Sequence, residues 1–296
     1  MAEDHSSFSF GVIADVQFGD KDDAEASEGN GRIKRYREAP QKLSKAVMHF
    51  NSRRSELEFV LSLGDIIDGN VSPEKTTEDF ETILAELQKL ELPAFHVLGN
   101  HCLSLPRESV MAQLGMPASY YVQEMSHAWS LVVLDTMDMS TKWSEDTQNF
   151  KEATEFLHAH PLGDDHPQMS LSNGGIGSIQ MSWLKEVIAN AERNKIKLIV
   201  AAHHPVVAGS APDGLLAWNH QEISSVLVES SAFVLFLCGH HHPGGYACIN
   251  GKHFVTVQAI LEAPTGSQAH AVVNVFDRHK ITIQGTGTVI SRVLEI

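Results

Sequence analysis

The amino-acid sequence predicts an α/β fold, a four-layer α-β-β-α sandwich in which two mixed sheets lie face to face and helices cover both outer faces. Apolar stretches of strand length alternate with helical stretches up to residue 238, and the remaining chain is β-rich and broken by turns. Several of the apolar stretches end in a polar motif. The chain has 296 residues, 43% of them hydrophobic, which is enough for one large domain or two small ones with a well-buried core. We expect a single domain over residues 1–296.

The first half of the chain alternates strands with helices. Residues 40–51 and 76–90 carry apolar residues at helical spacing, and Thr76 or Thr77 is placed to cap the second of these helices. Residues 20–37 show no periodicity and predict a loop. The predicted strands of this half are residues 8–14, 59–63, 94–98 and 129–134.

The second half continues the alternation and then changes character. Helices are predicted at residues 179–194 and 221–229, and strands at residues 197–202 and 233–238. Residues 139–172 are polar and irregular, and such long excursions are often functional or mobile. The antiparallel ending comprises residues 254–260, 271–276, 280–284 and 289–294, with a hairpin turn at residues 277–279.

The charge and cysteine content narrow the possible functions. The formal net charge of -15 disfavours a nucleic-acid-binding protein, because such proteins neutralise phosphates with basic residues, and it suits the binding of cations. No apolar stretch approaches the ~20 residues of a membrane span, and residues 1–7 lack a secretory signal. Three cysteines favour a reducing compartment over a disulfide framework. We therefore expect a cytoplasmic monomer that acts on small molecules, without nucleic acid or membrane partners.

Side chains suited to metal binding follow the predicted strands. The oxygen donors are the side chains of Asp15, Gln17, Asp65 and Asn100. The nitrogen donors are those of His203, His240 and His242. This mixed set favours Mn, Fe, Zn or Mg over copper or an iron–sulfur cluster. Asp65 follows the central strand of the set and is therefore the natural bridge between two cations, which would hold a bridging hydroxide and clamp a phosphoryl group.

Each motif alone has an ordinary explanation. Asp15, the Gly-Asp-x-x-Asp motif at residues 64–68 and the Asn-His pair after Gly99 all suit turns, and residues 240–242 suit a solvated histidine run. However, residues 234–238 are apolar and deliver that run to a sheet edge, where open α/β folds bind ligands. The occurrence of all the motifs in one chain favours a metal site.

The ordered motifs resemble those of the calcineurin-like metallophosphoesterase superfamily: D-x-H, G-D-x-x-D, G-N-H-[DE], a later H, and G-H-x-H. The match extends from Asp15 to His242. The resemblance implies that one metal is held by Asp15, Gln17, Asp65 and His242. It implies that the other is held by Asp65, Asn100, His203 and His240. It also implies that His101 lies near the substrate, as a stabiliser of transition-state charge or as the acid for the leaving group.

Two residues depart from the superfamily pattern. Gln17 stands where the pattern has histidine, and an amide oxygen shifts the preference of the site towards Mn or Mg. Cys102 stands where an acidic residue follows the Asn-His pair, which removes a carboxylate that would orient His101.

Three features bear on the substrate. Residues 32–37 contain four of the 22 basic residues, and Arg35 and Arg37 in particular suit a clamp on a second phosphate, although a solvated basic loop is an alternative. Asn173, in the glycine-rich segment 173–177, begins either a simple turn or a backbone site for an anion. Tyr246 is either a stacking platform for a base or a core residue.

The chain further resembles one group within the superfamily, the manganese-dependent ADP-ribose/CDP-alcohol diphosphatases. The shared segments include residues 15–18, 35–37, 64–69, 173–177, 203–205 and 239–245, and the group pattern includes the glutamine of the first motif. The resemblance implies two divalent metal ions, most favourably Mn²⁺. It implies hydrolysis of nucleoside diphosphate conjugates such as ADP-ribose and CDP-choline to a nucleoside monophosphate, by in-line attack of a metal-bridging hydroxide. The alternatives are a cyclic nucleotide phosphodiesterase, another phosphoesterase of this fold, or a scaffold without activity.

Overall fold

A computed structural model of the protein describes residues 7–26, 31–276 and 279–296. In chain order its strands are β1 (Phe8–Ile13), β2 (Ala24–Glu25), β3 (Ile33–Lys34), β4 (Phe59–Ser62), β5 (Ala94–His96), β6 (Tyr121–Ser126), β7 (Trp129–Val133), β8 (Lys197–Ala201), β9 (Phe233–Cys238), β10 (Gly245–Ile249), β11 (Lys252–Thr256), β12 (Ala269–Phe276), β13 (Lys280–Gly287) and β14 (Arg292–Glu295). Its α-helices are α1 (Ala39–Ser52), α2 (Pro73–Leu87), α3 (Arg107–Gln113), α4 (Gln148–Ala159), α5 (Ser178–Asn194) and α6 (His220–Glu229).

Within the described ranges, the long strands form two mixed sheets of six. The first has the order β14-β13-β12-β1-β4-β5, in which β1, β4 and β5 are parallel and β12 pairs with β1 in the antiparallel sense. The second has the order β10-β11-β9-β8-β7-β6, with four parallel central strands and an antiparallel strand at each edge. The parallel strands of each sheet carry its site residues, because parallel strands end at the same edge.

Successive side chains of a strand point alternately to the core between the two sheets and to the helices on the outer face. On β7, Leu131 and Val133 belong to the core between the sheets, which also includes residues of β1 and β4, whereas Val132 packs on the opposite face with Leu184 and Ile223 of α5 and α6. Helices α1 and α2 join the first core through the outer face of the first sheet. The predicted four-layer α-β-β-α sandwich is thereby confirmed.

Several predicted boundaries were wrong for local reasons. Helix α2 begins at Pro73 and is capped by Ser72, whose hydroxyl accepts a hydrogen bond from the backbone N–H of Lys75, so neither Thr76 nor Thr77 is the cap. The short strands β2 and β3 interrupt the predicted loop at residues 20–37. The irregular region 139–172 contains α4, capped by Thr147. Residues 277 and 278 of the predicted hairpin turn lie outside the described residues.

Besides β2, β3 and α4, three further strands or α-helices had no counterpart in the sequence prediction: α3, β6 and β10. Strands β6 and β10 are antiparallel edge strands, and their half-exposed side chains do not form the apolar runs that mark the buried strands. No helix in the described part of the chain is long and apolar enough to cross a membrane.

Candidate metal centre

The candidate ligands come together where the strands of both sheets end. Asp15 and Gln17 follow β1, Asp65 follows β4 and Asn100 follows β5 in the first sheet. In the second sheet, His203 follows β8, and both His240 and His242 follow β9. A ligand set assembled from two facing sheets is possible because the carboxyl ends of both groups of parallel strands lie at the same side of the sandwich.

The backbone at these strand ends adopts a conformation that is rare for residues with side chains. Among the described residues other than glycine, six have a positive φ. Four of the six are candidate ligands, namely Asp15 (48°), Gln17 (41°), Asp65 (47°) and His240 (66°). Left-handed conformations of this kind cost of order 1–3 kcal/mol each and cluster at functional sites, where surrounding structure enforces them.

Two motif glycines are required by close approach to a carboxylate. A Cβ on Gly99 would lie 2.1 Å from Oδ1 of Asp65, and a Cβ on Gly239 would lie 2.4 Å from Oδ2 of Asp15. Both distances are too short for any side chain. The glycines that precede Asn100 and His240 therefore allow the carboxylates of the first sheet to contact the loops of neighbouring strands.

Asp65 lies at the centre of the group. Its Oδ1 accepts a hydrogen bond of 2.8 Å from the backbone N–H of His101. Its Oδ2 lies 3.1 Å from Nε2 of His203 and 3.1 Å from Nε2 of Gln17. Asp15 is held from the other side, since both of its carboxylate oxygens lie 3.1 Å from the backbone N–H of His240.

Hydrogen bonds fix which ring nitrogen of His203 and His242 faces the carboxylates. Nδ1 of His203 donates to the backbone oxygen of Leu63 at 2.9 Å, so its Nε2 is left facing Asp65, 3.1 Å from Oδ1 of Asn100. Nδ1 of His242 lies 2.7 Å from Oε1 of Glu262, which leaves Nε2 3.8 Å from Oδ1 of Asp15. Both rings thus direct Nε2, rather than Nδ1, towards the centre.

His240 is oriented in the opposite sense. Its Nε2 lies 2.9 Å from Oδ1 of Asn173, and the amide nitrogen of Asn173 donates to the backbone oxygens of Gln168 and Gly214 at 2.8 Å each. Because the amide oxygen of Asn173 accepts, Nε2 of His240 carries the proton and Nδ1 is the nitrogen available to a metal. Asn173, predicted to contact substrate, is fully buried and supports a candidate ligand instead.

His204 shares the cluster without being a candidate ligand. Its nitrogens approach those of His203 and His240 closely enough to suggest a metal group. However, Nδ1 of His204 lies 2.8 Å from the hydroxyl of Thr136, and Nε2 faces the backbone oxygen of Ser172 at 3.4 Å. The ring of His204 packs on that of His240, with 4.2 Å between ring centroids, and supports it sterically.

The buried carboxylates and imidazoles shift each other's pKa values. Burial opposes ionisation of Asp65, but the charges of His203 and His101 outweigh it and lower the pKa of this carboxyl. Burial likewise opposes protonation of His203, yet Asp65 raises the pKa of His203 to about 9. Burial and the neighbouring imidazoles hold the pKa of His240 well below its usual value, and they lower that of His204 to about 3.

The donor set fits divalent cations. Asp15, Asp65 and His203, all fully buried, place ligand atoms within 4.8 Å of one another. Oε1 of Gln17 is buried and, among the residues described, has no hydrogen-bond partner, as expected of an oxygen reserved for a cation. Carboxylate, amide and imidazole donors together suit Mn²⁺.

The candidate ligands border a cavity of about 170 Å³ that opens at the strand ends. Its lining includes Gln17, Asn100, His240 and His242 of the metal set, together with His101. The remaining lining residues are Ala26, Arg32, Lys34, Ser172, Leu215, Pro243 and Glu262.

His101 is oriented by a residue other than its neighbour in sequence. Its Nδ1 donates to the backbone oxygen of Asp68 at 2.8 Å and lies 3.4 Å from the Asp68 carboxylate, which also pairs with Lys21. Cys102, which replaces the acidic residue of the superfamily pattern, is buried, and burial raises the pKa of its thiol to about 12. The backbone oxygen of Asp68 therefore orients the ring of His101, and no acidic residue at position 102 is needed for this.

The structure revises the predicted substrate residues. In the described part of the chain, Arg32 and Lys34 line the cavity, whereas Arg35 and Arg37 do not. The guanidinium of Arg37 is half exposed and pairs with Asp20 at 2.7 Å and Asp22 at 2.6 Å, and that of Arg35 donates to the backbone of its own loop. Lys34 lies in β3, whereas Arg37 lies beyond the strand, in a single helical turn at Tyr36–Glu38.

Tyr246 also lies away from the cavity lining. It is the second residue of β10, where its hydroxyl lies 3.0 Å from Nδ1 of His253 and the guanidinium of Arg292 stacks on its ring. These contacts join the edge strands β10 and β14. They favour a structural role for Tyr246 over stacking on a base.

Sequence reasoning missed Glu262, which lines the cavity and binds His242. A signal for it was present, because Glu262 is the first charged residue after the apolar run of residues 254–261, as Asp15 and Asp65 follow theirs. The interpretation of this run as part of an antiparallel ending concealed that β11 is parallel to β9 and ends at the same edge.

Comparisons with known proteins agree with this geometry. The family profile described as calcineurin-like phosphoesterase matches residues 8–244. A protein of Arabidopsis thaliana named manganese-dependent ADP-ribose/CDP-alcohol diphosphatase is 32% identical over 94% of this chain and 94% of its own length. One of the same name from Oryza sativa subsp. japonica is 33% identical over 91% of this chain and 88% of its own length.

A crystal structure of a dimetal phosphatase from Danio rerio superposes with a TM-score of 0.88 at 27% identity, covering 98% of this chain and 99% of that one. The two sheets, the ligand motifs at their edges and the family match over most of the chain lead to one assignment. This chain belongs to the calcineurin-like phosphoesterase family.

Proposed function

We propose that the protein is a manganese-dependent hydrolase that cleaves the pyrophosphate bond of nucleoside diphosphate conjugates such as ADP-ribose and CDP-alcohols, releasing a nucleoside monophosphate. The relatives from Arabidopsis thaliana and Oryza sativa carry names that state this activity, and the chain is at least 32% identical to both. The observation that carries the proposal is that one cavity brings together four of the candidate metal ligands, His101 and two cationic side chains, Arg32 and Lys34.

The cavity lining carries two sets of side chains, which suit the two phosphates of a diphosphate. The first set, here called the metal wall, comprises Gln17, Asn100, His240 and His242, and the second, the diphosphate wall, comprises Arg32 and Lys34, which offer counter-charges. A monophosphate ester would need only the first wall. The second wall therefore favours a diphosphate over a simple phosphomonoester.

The cavity volume supports binding of the diphosphate part alone. About 170 Å³ is less than the ~300–1,000 Å³ that encloses a whole drug-sized ligand. The nucleoside and the conjugated alcohol or sugar would then extend beyond the cavity. This arrangement suits hydrolysis of conjugates that share a diphosphate and differ at either end.

Each side chain has a role in the proposed reaction. We propose that Asp15, Gln17, Asp65 and His242 hold one Mn²⁺ and that Asp65, Asn100, His203 and His240 hold the second. When bound, the two ions supply Lewis acidity and an activated water. His101, with Nδ1 donating to Asp68, presents Nε2 to the cavity, where it stabilises charge or protonates the leaving phosphate. Arg32 and Lys34 hold the phosphate that is not attacked.

The proposal extends to the cellular compartment, the partners and the oligomeric state of the protein. The exposed thiol of Cys248 and the free thiols of Cys102 and Cys238 support a reducing compartment, and we propose the cytoplasm. The net charge of -15 supports a partner set of small molecules and cations, without nucleic acid. We propose that the protein acts as a monomer, because every side chain in the proposed roles comes from one chain.

A substrate panel tests the function. The purified protein is stripped with a chelator, reloaded with Mn²⁺ and assayed side by side on ADP-ribose, CDP-choline, cyclic AMP and bis-p-nitrophenyl phosphate. We expect Mn²⁺-dependent release of AMP and CMP from the first two and little action on cyclic AMP, with Asp65→Asn inactive on all. Preferential cleavage of cyclic AMP, or activity on the aryl diester alone, would overturn the diphosphatase proposal.

A further inference from the structure

Glu262 contacts both functional walls of the cavity with separate oxygens. Its Oε1 lies 2.7 Å from Nδ1 of His242, and its Oε2 lies 3.4 Å from Nε of Arg32. The carboxylate side chain is 7% exposed. One buried carboxylate thus contacts a candidate metal ligand and a cation of the diphosphate wall at the same time.

The backbone before Glu262 is fixed to the same two parts of the site. The N–H groups of Ala259, Ile260 and Leu261 donate to the backbone oxygens of His242, Ala14 and Asp15 respectively, at 3.0–3.1 Å. The backbone oxygen of Leu261 accepts from the N–H of Arg35 at 3.1 Å, which ties in the basic loop. Segment 259–262 is therefore held by both metal-binding loops and by the basic loop, so the position of the Glu262 carboxylate is set rigidly.

A carboxylate at this position affects both partners. By accepting the Nδ1 proton of His242 it keeps the Nε2 lone pair directed at Asp15, and a negative partner makes the imidazole a better ligand. By facing the guanidinium of Arg32 it limits the rotamers of a long side chain that would otherwise lose entropy on binding a phosphate.

We propose that Glu262 is a positioning residue shared by the metal centre and the diphosphate-binding wall, so that Mn²⁺ affinity and diphosphate affinity depend on the same carboxylate. The part that concerns Arg32 rests on the proposed function. The part that concerns His242 rests only on the geometry of the metal centre and holds whatever the substrate is.

The metal part is tested without substrate. Mn²⁺ affinity is measured on the full chain from the electron paramagnetic resonance signal of free Mn²⁺, for the wild type, Glu262→Gln and Glu56→Gln. Glu56 is a matched control because it also pairs with an arginine, Arg53 at 2.7 Å, in the turn that follows α1, where Glu56 is exposed. We expect at least one Mn²⁺ site of Glu262→Gln to weaken by about 10-fold or more, and Glu56→Gln to match the wild type.

Wild-type Mn²⁺ affinity in a folded Glu262→Gln variant would overturn the metal part. If this variant does not fold, as judged by circular dichroism, Glu262→Asp takes its place. The shorter aspartate keeps the charge but cannot reach both partners, so we again expect weaker Mn²⁺ binding, and unchanged binding would again overturn the proposal.

The link to Arg32 is tested by a double-mutant cycle on KM. At saturating Mn²⁺, KM for ADP-ribose is measured for Glu262→Gln, Arg32→Gln and the double variant, with kcat as a second readout. We expect each single substitution to raise KM by about 10-fold and the double variant to rise by clearly less than the product of the two. Multiplicative effects would show that Glu262 and Arg32 act independently.

The proposed function and the proposed role of Glu262 can be disproved independently of each other. A wild type that binds Mn²⁺ but hydrolyses no nucleoside diphosphate conjugate would remove the proposed function, and the Mn²⁺ measurement would still decide whether Glu262 positions His242. A wild type that hydrolyses ADP-ribose, with a Glu262→Gln variant of unchanged Mn²⁺ affinity and unchanged KM, would remove only the role of Glu262.

Discussion

Oδ1 of Asn173 lies 2.9 Å from Nε2 of His240, so a residue from the loop before α5 orients the imidazole that follows β9. The amide nitrogen of Asn173 is held by two backbone oxygens, which leaves its oxygen as the acceptor. This pair determines that Nδ1 of His240 faces the metal centre, and it connects the glycine-rich segment 173–177 to that centre.

The hydrogen bond between Asn173 and His240 predicts that removal of the Asn173 side chain weakens metal binding. Asn173→Ala leaves the Nε2 proton of His240 without its acceptor and frees the ring to turn, so we expect Mn²⁺ affinity to fall by about 10–100-fold. Metal titration of the stripped protein checks this. Asn51→Ala is a matched control, because the Asn51 amide also bonds backbone groups, yet on the exposed end of α1. Equal Mn²⁺ affinity in the two variants would contradict the positioning role of Asn173.

Substitution of His101 is expected to lower the rate of hydrolysis without changing the affinity for metal. Its Nδ1 is engaged by Asp68 and its side chain lines the cavity, outside the candidate ligand set. We expect His101→Ala to lower kcat on ADP-ribose by about 10²–10⁴-fold with Mn²⁺ affinity unchanged.

The leaving group distinguishes the two roles of His101. If it protonates the leaving group, bis-p-nitrophenyl phosphate, whose leaving group needs no proton, should lose much less activity in His101→Ala than ADP-ribose does. Equal losses on both substrates would favour charge stabilisation alone. A large loss of Mn²⁺ affinity would place His101 among the ligands instead.

Lys34 and Arg37 form a matched pair for the diphosphate wall. Lys34 lines the cavity, and Arg37 lies outside the lining with Asp20 and Asp22 as partners. A charge-assisted hydrogen bond contributes about 1.5 kcal/mol or more, so we expect Lys34→Gln to raise KM for ADP-ribose by about 10-fold. We expect little change in KM for the aryl diester, which has one phosphate, and little change from Arg37→Gln with either substrate. The reverse ranking would restore the clamp that the sequence predicted on Arg37.

The buried position of His96 predicts that folding stability decreases in acid, independently of the metal centre. It ends β5, is buried, and burial lowers its pKa to about 4 from about 6.5. The unfolded chain therefore binds a proton at this side chain before the folded chain does. Stability is lost as the pH falls from about 6.5 to about 4, by about 3 kcal/mol in total, and is constant from this source above pH 6.5.

Replacement of His96 by phenylalanine tests the sign of this effect. Nδ1 of His96 has no hydrogen-bond partner within the described ranges, so the substitution removes the titration without breaking a side-chain bond. We expect His96→Phe to lose less stability than the wild type between pH 7.5 and pH 5 in urea unfolding of the metal-stripped protein. Parallel losses in the two proteins would show that His96 does not titrate in this range.

The sequence by itself determined the fold class and the candidate ligands. Buried strands are apolar throughout and end in polar residues, so the runs before Asp15, Asp65, His203 and His240 could be recognised without coordinates, and the rule that strand ends meet at one edge brought them together. Glycines that permit close approach, such as Gly99 and Gly239, are part of the same local signal. These properties are local, and local patterns are visible along the chain.

Only the tertiary structure decided how the ligands are supported and which cations face the cavity. Asn173 and Glu262 are distant in sequence from the ligands that they orient, and nothing near them in the chain indicates those partners. The basic segment 32–37 is uniform in composition, yet Arg32 and Lys34 line the cavity, whereas Arg37 lies in a helical turn beyond β3 and pairs with Asp20 and Asp22. Composition alone does not show which of these cations faces the cavity, because that depends on how the segment packs against the rest of the fold.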